Sequence, residues 1–224
     1  MSNTPTRYLD AIPVTAEEEA YRHILYRIRM GTYPSGTRLI PEDIAGEIGT
    51  SRMPVREAFR RLATEGLVTI RPNRGAIVRG LSAAEIKEVF DMRAVLEGLA
   101  VTTALDRIGP RELTKLEALV ESMESDSTNI PQWVTSHREF HEYLCRLSNG
   151  PRLVAQISSL HSIVEPHMRL WLELANKPLS SRDDHMAIVT SIRTGDAAAV
   201  EATLRAHIRS TIPDLLKLMK EGTA

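Results

Sequence analysis

A chain of 224 residues with a net charge of −1 is long enough for two domains with separate cores, and too balanced to behave as a nonspecific polycation. It has no apolar run long enough to span a bilayer, no short-period repeat and no charged-then-apolar leader, so a cytoplasmic protein with no membrane partner is expected. A single cysteine, Cys145, excludes an internal disulfide framework and, flanked by Leu144 and Leu147, reads as a core residue.

Residues 1–15 read as a flexible arm. Thr15-Ala16-Glu17-Glu18 has the spacing of a capping box and opens a first helix through Tyr21 to Ile28. Gly31 to Gly36 is a turn-rich break, and Pro41 to Gly49 gives a short second helix closed by glycine. A third helix follows, with Ser51 offering its oxygen to an unpaired amide and Pro54 in the first turn. Val55, Ala58, Phe59 and Leu62 repeat at helical spacing and face inward, which leaves Arg52 and Arg56 together on the free face. Two guanidinium forks so placed suit guanine edges in a major groove or the phosphates beside it. Met53, Pro54 and Arg60 belong to the same candidate surface. Gly66–Ile70 and Ala76–Arg79 then form a hairpin whose basic tip carries Arg74 and Gly75.

Charge placement supports a DNA reader where total charge does not. Residues 1–80 hold 12 arginines, no lysine and 9 acidic residues, and within 51–80 seven arginines face only Glu57 and Glu65. A solvated basic face on an ordinary helix is the plain alternative. It requires helix, preceding turn and basic hairpin to coincide by chance.

This segment resembles the winged-helix reader of the GntR superfamily, through Gly36-Thr37-Arg38-Leu39, the run from Ile48 to Ala58, and Leu62-Ala63-Thr64-Glu65-Gly66-Leu67-Val68. The resemblance implies that Arg52 and Arg56 contact an operator and that Gly75 lets the wing backbone approach the minor groove. Glu42 stands where some relatives have a DNA-contacting arginine, so that contact is not carried over.

From Leu81 onward the pattern is helical with Gly/Pro punctuation. Ser82-Ala83-Ala84-Glu85 caps a helix reaching about Asp106, ended by Gly109-Pro110. Further helices are expected over 111–126, 131–148, 151–175, 182–194 and 197–221, with Pro178 among the separators and Pro166 kinking or interrupting the fourth. The fold class is therefore mainly α: a winged helix-turn-helix over 16–80 with a small β-hairpin wing, then an antiparallel all-helical bundle over 81–224 for ligand binding and dimerisation.

Of seven histidines, all but His23 follow residue 136. His137 and His141 share a helix face, and His185 and His207 lie on two later helices, so imidazoles from three helices can converge on a divalent transition metal. Each taken singly reads as an ordinary satisfied or surface residue before it reads as a ligand, and His161 and His167 keep that reading. Residues 85–210 resemble the ligand-binding domain of the FadR-like branch, through Phe90 to Glu97, Phe140 to Leu144, Asp184 to Val189, Gly195-Asp196 and Leu204 to Ile208. The resemblance implies three histidines, His141, His185 and His207, on a metal. In many relatives an aspartate stands four residues before the first histidine; here His137 takes its place, which shifts the preference toward zinc or nickel and away from manganese.

Arg93 is open to two readings, an anchor for a small carboxylate effector or an intrahelical partner of Glu97. Asn149 and Arg152 are weaker candidates for the same cavity. Together these features imply a ligand-responsive transcription regulator, a repressor rather than an activator, bound as a homodimer to an inverted-repeat operator in double-stranded DNA. A metal-dependent hydrolase is the alternative, but there is no His-Glu-x-x-His run and Glu142 points about 100° away from His141. An RNA binder is disfavoured by 4% aromatic content and the lack of a stacking platform.

Overall fold

A computed structural model describes residues 15–175 and 180–221. The expected arm, apart from Thr15, and Pro178 lie outside the described residues. Helix α1 (Ala16–Arg29) starts where Thr15 Oγ1 accepts from the Glu18 amide at 3.1 Å, with three glutamates in its first turn and Arg27 and Arg29 in its last. That arrangement opposes the helix dipole at both ends. Helix α2 (Pro41–Ile48) begins on proline and stops at Gly49, whose φ of +68° is the left-handed conformation that ends a helix.

Helix α3 (Arg52–Thr64) follows a three-residue turn and buries Val55, Ala58, Phe59 and Leu62, as the periodicity predicts. Ser51 sits at the cap position but makes no side-chain cap bond, against expectation. The third helical position is Pro54, so the amide such a cap commonly engages does not exist.

The wing differs from the two-stranded hairpin predicted. Strands β2 (Val68–Arg71) and β3 (Gly75–Val78) pair antiparallel, Val68 opposite Val78, while β1 (Arg38–Leu39) pairs with the other edge of β3. The sheet order is β1-β3-β2. Two residues are too few to show a period-two pattern, which is why β1 was not foreseen.

The bundle follows directly. Helix α4 (Ala83–Ala104) opens with a capping box in which Glu85 Oε2 accepts from the Ser82 amide at 2.8 Å. A 3-10 turn (Leu105–Arg107) leads to α5 (Pro110–Ser125), α6 (Ile130–Arg146), α7 (Pro151–Ala175), α8 (Arg182–Arg193) and α9 (Ala197–Glu221). Of the two outcomes expected at Pro166, a kink or an interruption, the interruption does not occur: α7 continues through it. The proline removes one backbone bond, but Leu160, Val164, Met168 and Leu172 are buried on both sides of it, and each such side chain contributes roughly 1.5–3 kcal/mol of burial.

Two main apolar clusters result. One gathers α1, α2, α3 and the wing around Ile24, Ile44, Phe59 and Leu62; the other gathers α4 to α9 around Phe90, Leu116, Phe140 and Leu204. Ile163 of α7 packs against both. Among the described residues no helix is long and apolar enough to cross a membrane.

Candidate nucleic-acid interface and metal centre

The buried stripe of α3 fixes what its other face presents. Arg52 Nη1 donates to Glu42 Oε1 at 2.9 Å, with the two side chains 69% and 54% exposed, so this pair sits in solvent and opens at little cost. The Arg52 hydrogen bond holds the Glu42 carboxyl below its ordinary range. Arg56 is exposed and makes no ion pair among the described residues. Arg60 pairs along the helix with Glu57. Arg61 is used internally, reaching Glu18 at 2.7 Å and lying over the Tyr21 ring, and so ties α3 to α1. Met53 is exposed beside Arg52, and Pro54 is partly covered at the helix start.

Between α3 and the wing runs a groove of about 420 Å³ bordered by Arg38, Arg56, Arg60, Arg71 and Arg74, with Glu42 at its edge. Arg38 and Arg71 were not singled out from sequence. Arg38 becomes visible once β1 is recognised, because strand alternation buries Leu39 and turns Arg38 outward. The Arg38 Nε donates to the Arg74 carbonyl at 3.2 Å and so braces the wing turn. Gly75 has a reason of its own within the fold: its φ is +84°, and a Cβ there would stand 2.0 Å from the Leu39 carbonyl oxygen. The contact between β1 and β3 requires glycine whether or not DNA is near.

The second site lies inside the bundle. Helix α6 supplies His137 and His141 one turn apart, α8 supplies His185 and α9 supplies His207, and one ring nitrogen from each lies within 4.8 Å of the others. All four are buried, none more than 9% exposed. Burial, and then the neighbouring imidazoles, push His137 and His207 well below the ordinary histidine value; burial and His141 bring His185 down to about 4. These three are neutral at physiological pH, the state in which imidazole can ligate.

Hydrogen bonds assign the tautomers. His141 Nδ1 lies 2.9 Å from Glu97 Oε2 and His185 Nδ1 lies 3.0 Å from the Ser181 carbonyl. An ionised carboxylate and a carbonyl only accept, so both Nδ1 atoms carry a proton; neutral His185 presents a lone pair at Nε2, and Nε2 of His141 is the ring nitrogen left to face the cluster. Those two Nε2 atoms are buried without a hydrogen-bond partner. Histidines that ligate metals have this arrangement, one ring nitrogen fixed by an acceptor and the other free.

Glu97, fully buried, was recognised from sequence only as a partner of Arg93. It accepts from Arg93 Nε at 2.9 Å as well as from His141, and His161 Nε2 stands 3.1 Å away without hydrogen-bond alignment. Burial disfavours its charge, but Arg93, His161 and His141 outweigh that and hold its carboxyl well below the usual range. The two readings of Arg93 turn out to be compatible. Its Nε binds Glu97, while Nη1 is buried without a partner and the side chain lines a cavity of about 10 Å³ shared with His137, His141 and His207. That volume holds about one water-sized group.

His161, left as an ordinary residue from sequence, packs 5.9 Å from the His141 ring and contacts Glu97, one layer out from the four-ring cluster. Burial brings both His161 and His167 down to about 4. Asn149 and Arg152 are not brought to the cavity: both are exposed, and Asn149 takes a φ of +53° in the turn between α6 and α7. Cys145 is buried, with its thiol pushed well up by burial, as befits a core residue.

Residues 16–78 match the family model for bacterial regulatory proteins of the gntR family, and residues 88–210 match the FCD domain. The Nta operon transcriptional regulator of Aminobacter aminovorans is 28% identical over 186 residues, 83% of this chain and 87% of that protein. A relative from Paenarthrobacter nicotinovorans, described as a probable D-xylose utilization operon transcriptional repressor, is 28% identical over 203 residues, 89% of this chain and 88% of its own. Among solved structures, McbR/YncC of E. coli superposes with a TM-score of 0.80 at 23% identity, covering 91% of this chain and 98% of that one. At that identity the likeness speaks for the fold.

Proposed function

The chain belongs to the gntR family of bacterial regulatory proteins, with an FCD domain behind its reader, and from that premise we propose a metal-assisted, ligand-responsive repressor. It is a DNA-binding transcription regulator and not an enzyme, so the hydrolase alternative is set aside. It works where the chromosome is, in the cytoplasm. A homodimer presents two copies of α3 to an inverted repeat; Arg52 and Arg56 read bases or phosphates while Arg60, Arg74 and the other groove arginines grip the backbone. Repression fits the description of the Paenarthrobacter relative.

The observation that carries the sensor half of this reading is the pair of partnerless Nε2 atoms of His141 and His185, their Nδ1 atoms engaged by acceptors, facing two further buried imidazoles. His137, His141, His185 and His207 would hold a divalent ion, zinc or nickel, which would supply a positive charge able to draw an anionic oxygen. Four neutral imidazoles leave the ion's charge uncompensated, and Glu97 is already balanced by Arg93. An anion is therefore favoured as the next ligand, and the partnerless Nη1 of Arg93 supplies its second contact. A small carboxylate fits these requirements. The 10 Å³ cavity must widen to admit it, with Met168 an adaptable part of the wall, so binding has a structural consequence.

Two measurements on untagged full-length protein test this. Binding to its own promoter region should persist at a salt concentration that abolishes binding to random duplex. Elemental analysis should find about one transition metal per chain, falling sharply in His207→Ala. Equal affinity for both duplexes refutes the reader; unchanged metal content in the variant refutes the site.

A further inference from the structure

The reader and the bundle meet where the C-terminal end of α1 lies against α7, and the contact is ionic at its centre. Arg29, the last residue of α1, donates to Ser162 Oγ, and its Nε lies 3.6 Å from Glu165 Oε2. From α7, Arg169 Nε donates to the Arg29 carbonyl at 2.9 Å, answering one of the acceptors that a helix end leaves open. Glu165 also accepts from Arg138 Nη1 at 2.7 Å, and Arg138 holds Glu142 Oε1 with its Nε and Nη2.

Arg138 follows His137 directly in α6. On that helix the four residues divide between two faces, His137 and His141 toward the ring cluster, Arg138 and Glu142 toward α7 and Ser158. One carboxylate, Glu165, is thus gripped from one side by the helix that bears two of the candidate ligands and from the other by the reader. Two residues before it, Ile163 packs against both apolar clusters. Burial, and then the charge of Arg138, push Arg29 below the ordinary guanidinium range. Removing Glu165 would leave Arg138 with Glu142, and Arg29 and Arg169 without an ion pair among the described residues.

We infer that Glu165 couples occupancy of the histidine cluster to the placement of the reader. A helix is stiff and the interior is close-packed, so a displacement of α6 as His137 and His141 close on an ion is delivered to Arg138, then Glu165, then Arg29. The inference rests on the proposed metal site. A purely structural bridge would lower stability or DNA affinity equally with and without the ion, whereas a coupling residue changes their ratio.

Full-length protein stripped by a chelator is titrated onto its promoter fragment with and without zinc ions, and the ratio of the two Kd values is measured. Allosteric ratios are typically about 5–150-fold. Glu165→Gln, of equal size, should take up zinc in the wild-type amount while its ratio falls to about 1. Arg29→Gln approaches the same contact from the other domain and should give the same result, which guards against a folding defect in either variant. Wild-type ratios in both variants overturn the inference. So does a wild-type protein that takes up zinc and prefers its promoter but shows a ratio of 1, an outcome that leaves the proposed function standing. Failure of the wild type to take up zinc, or to prefer its promoter, overturns the functional reading and the inference with it.

Discussion

Replacing Glu97 with glutamine should damage stability and metal affinity together. The carboxylate serves Arg93 Nε and His141 Nδ1, each at 2.9 Å, and stands 3.1 Å from His161, in a place with no access to water. Glutamine has one acceptor oxygen for these two donors, and its amide hydrogens meet whichever donor is left. Arg93 would then be a buried cation without a counter-charge, a loss of roughly 3–5 kcal/mol. For a protein of this length each kcal/mol shifts the melting temperature by about 2–4 °C, so Glu97→Gln should melt roughly 6–20 °C below wild type. His141 also loses the acceptor that fixes its tautomer, which should weaken zinc binding by about 10–100-fold. Thermal unfolding in chelator gives the first number, and competition with a chromophoric chelator gives the second. Glu121→Gln, which breaks the exposed pair with Arg182, is the control and should leave both unmoved. If Glu97→Gln melts within about 2 °C of wild type and binds zinc as tightly, the assignment of Glu97 as the orienting carboxylate is wrong.

The buried histidines make the metal-free fold acid-sensitive. His161, His167 and His185 titrate near 4 against about 6.5 in an unfolded chain, so the unfolded state binds more protons between those values; stability is full above about pH 6.5 and falls toward pH 4, on the order of 3 kcal/mol per group. A melting temperature that stays flat across that window would contradict the burial argument. Arg56→Ala should cost about 1–3 kcal/mol of promoter affinity, since this arginine has no ion-pair partner among the described residues to compete with DNA, and Glu42→Gln should tighten binding by freeing Arg52; anisotropy titrations with both variants decide, and a Glu42→Gln protein that binds more weakly would show that the pair positions Arg52 instead. Gly75→Ala should unfold the wing locally, with exchange of the β1 and β3 amides accelerated, because its Cβ would meet the Leu39 carbonyl at 2.0 Å; protection equal to wild type would mean the strand edge can yield.

What the sequence discloses here follows the range of the interactions involved. Helical periodicity and caps are local, so α3 with its buried Val55, Phe59 and Leu62, and the helices of the bundle, are legible within a residue or two. His137 and His141 are legible as a pair because one helix sets their spacing. Their meeting with His185 and His207 depends on how α6, α8 and α9 pack, and resemblance rather than pattern supplied that expectation. Glu97 shows the limit more sharply. Its i+4 spacing from Arg93 suggested an ordinary ion pair, and nothing local distinguishes that pair from the exposed pair of Lys87 and Asp91 on the same helix. Only burial, and the arrival of His141 from α6 and His161 from α7, convert it from a surface bridge into the element that orients a candidate ligand. The same holds for Glu165, which sits one turn after His161 on α7 and acquires its connections only through partners 27 residues away at Arg138 and on another domain at Arg29. Residues that join distant parts of the chain carry no local signature: Glu97 acquires its role from α6 and α7, and Glu165 from α6 and α1.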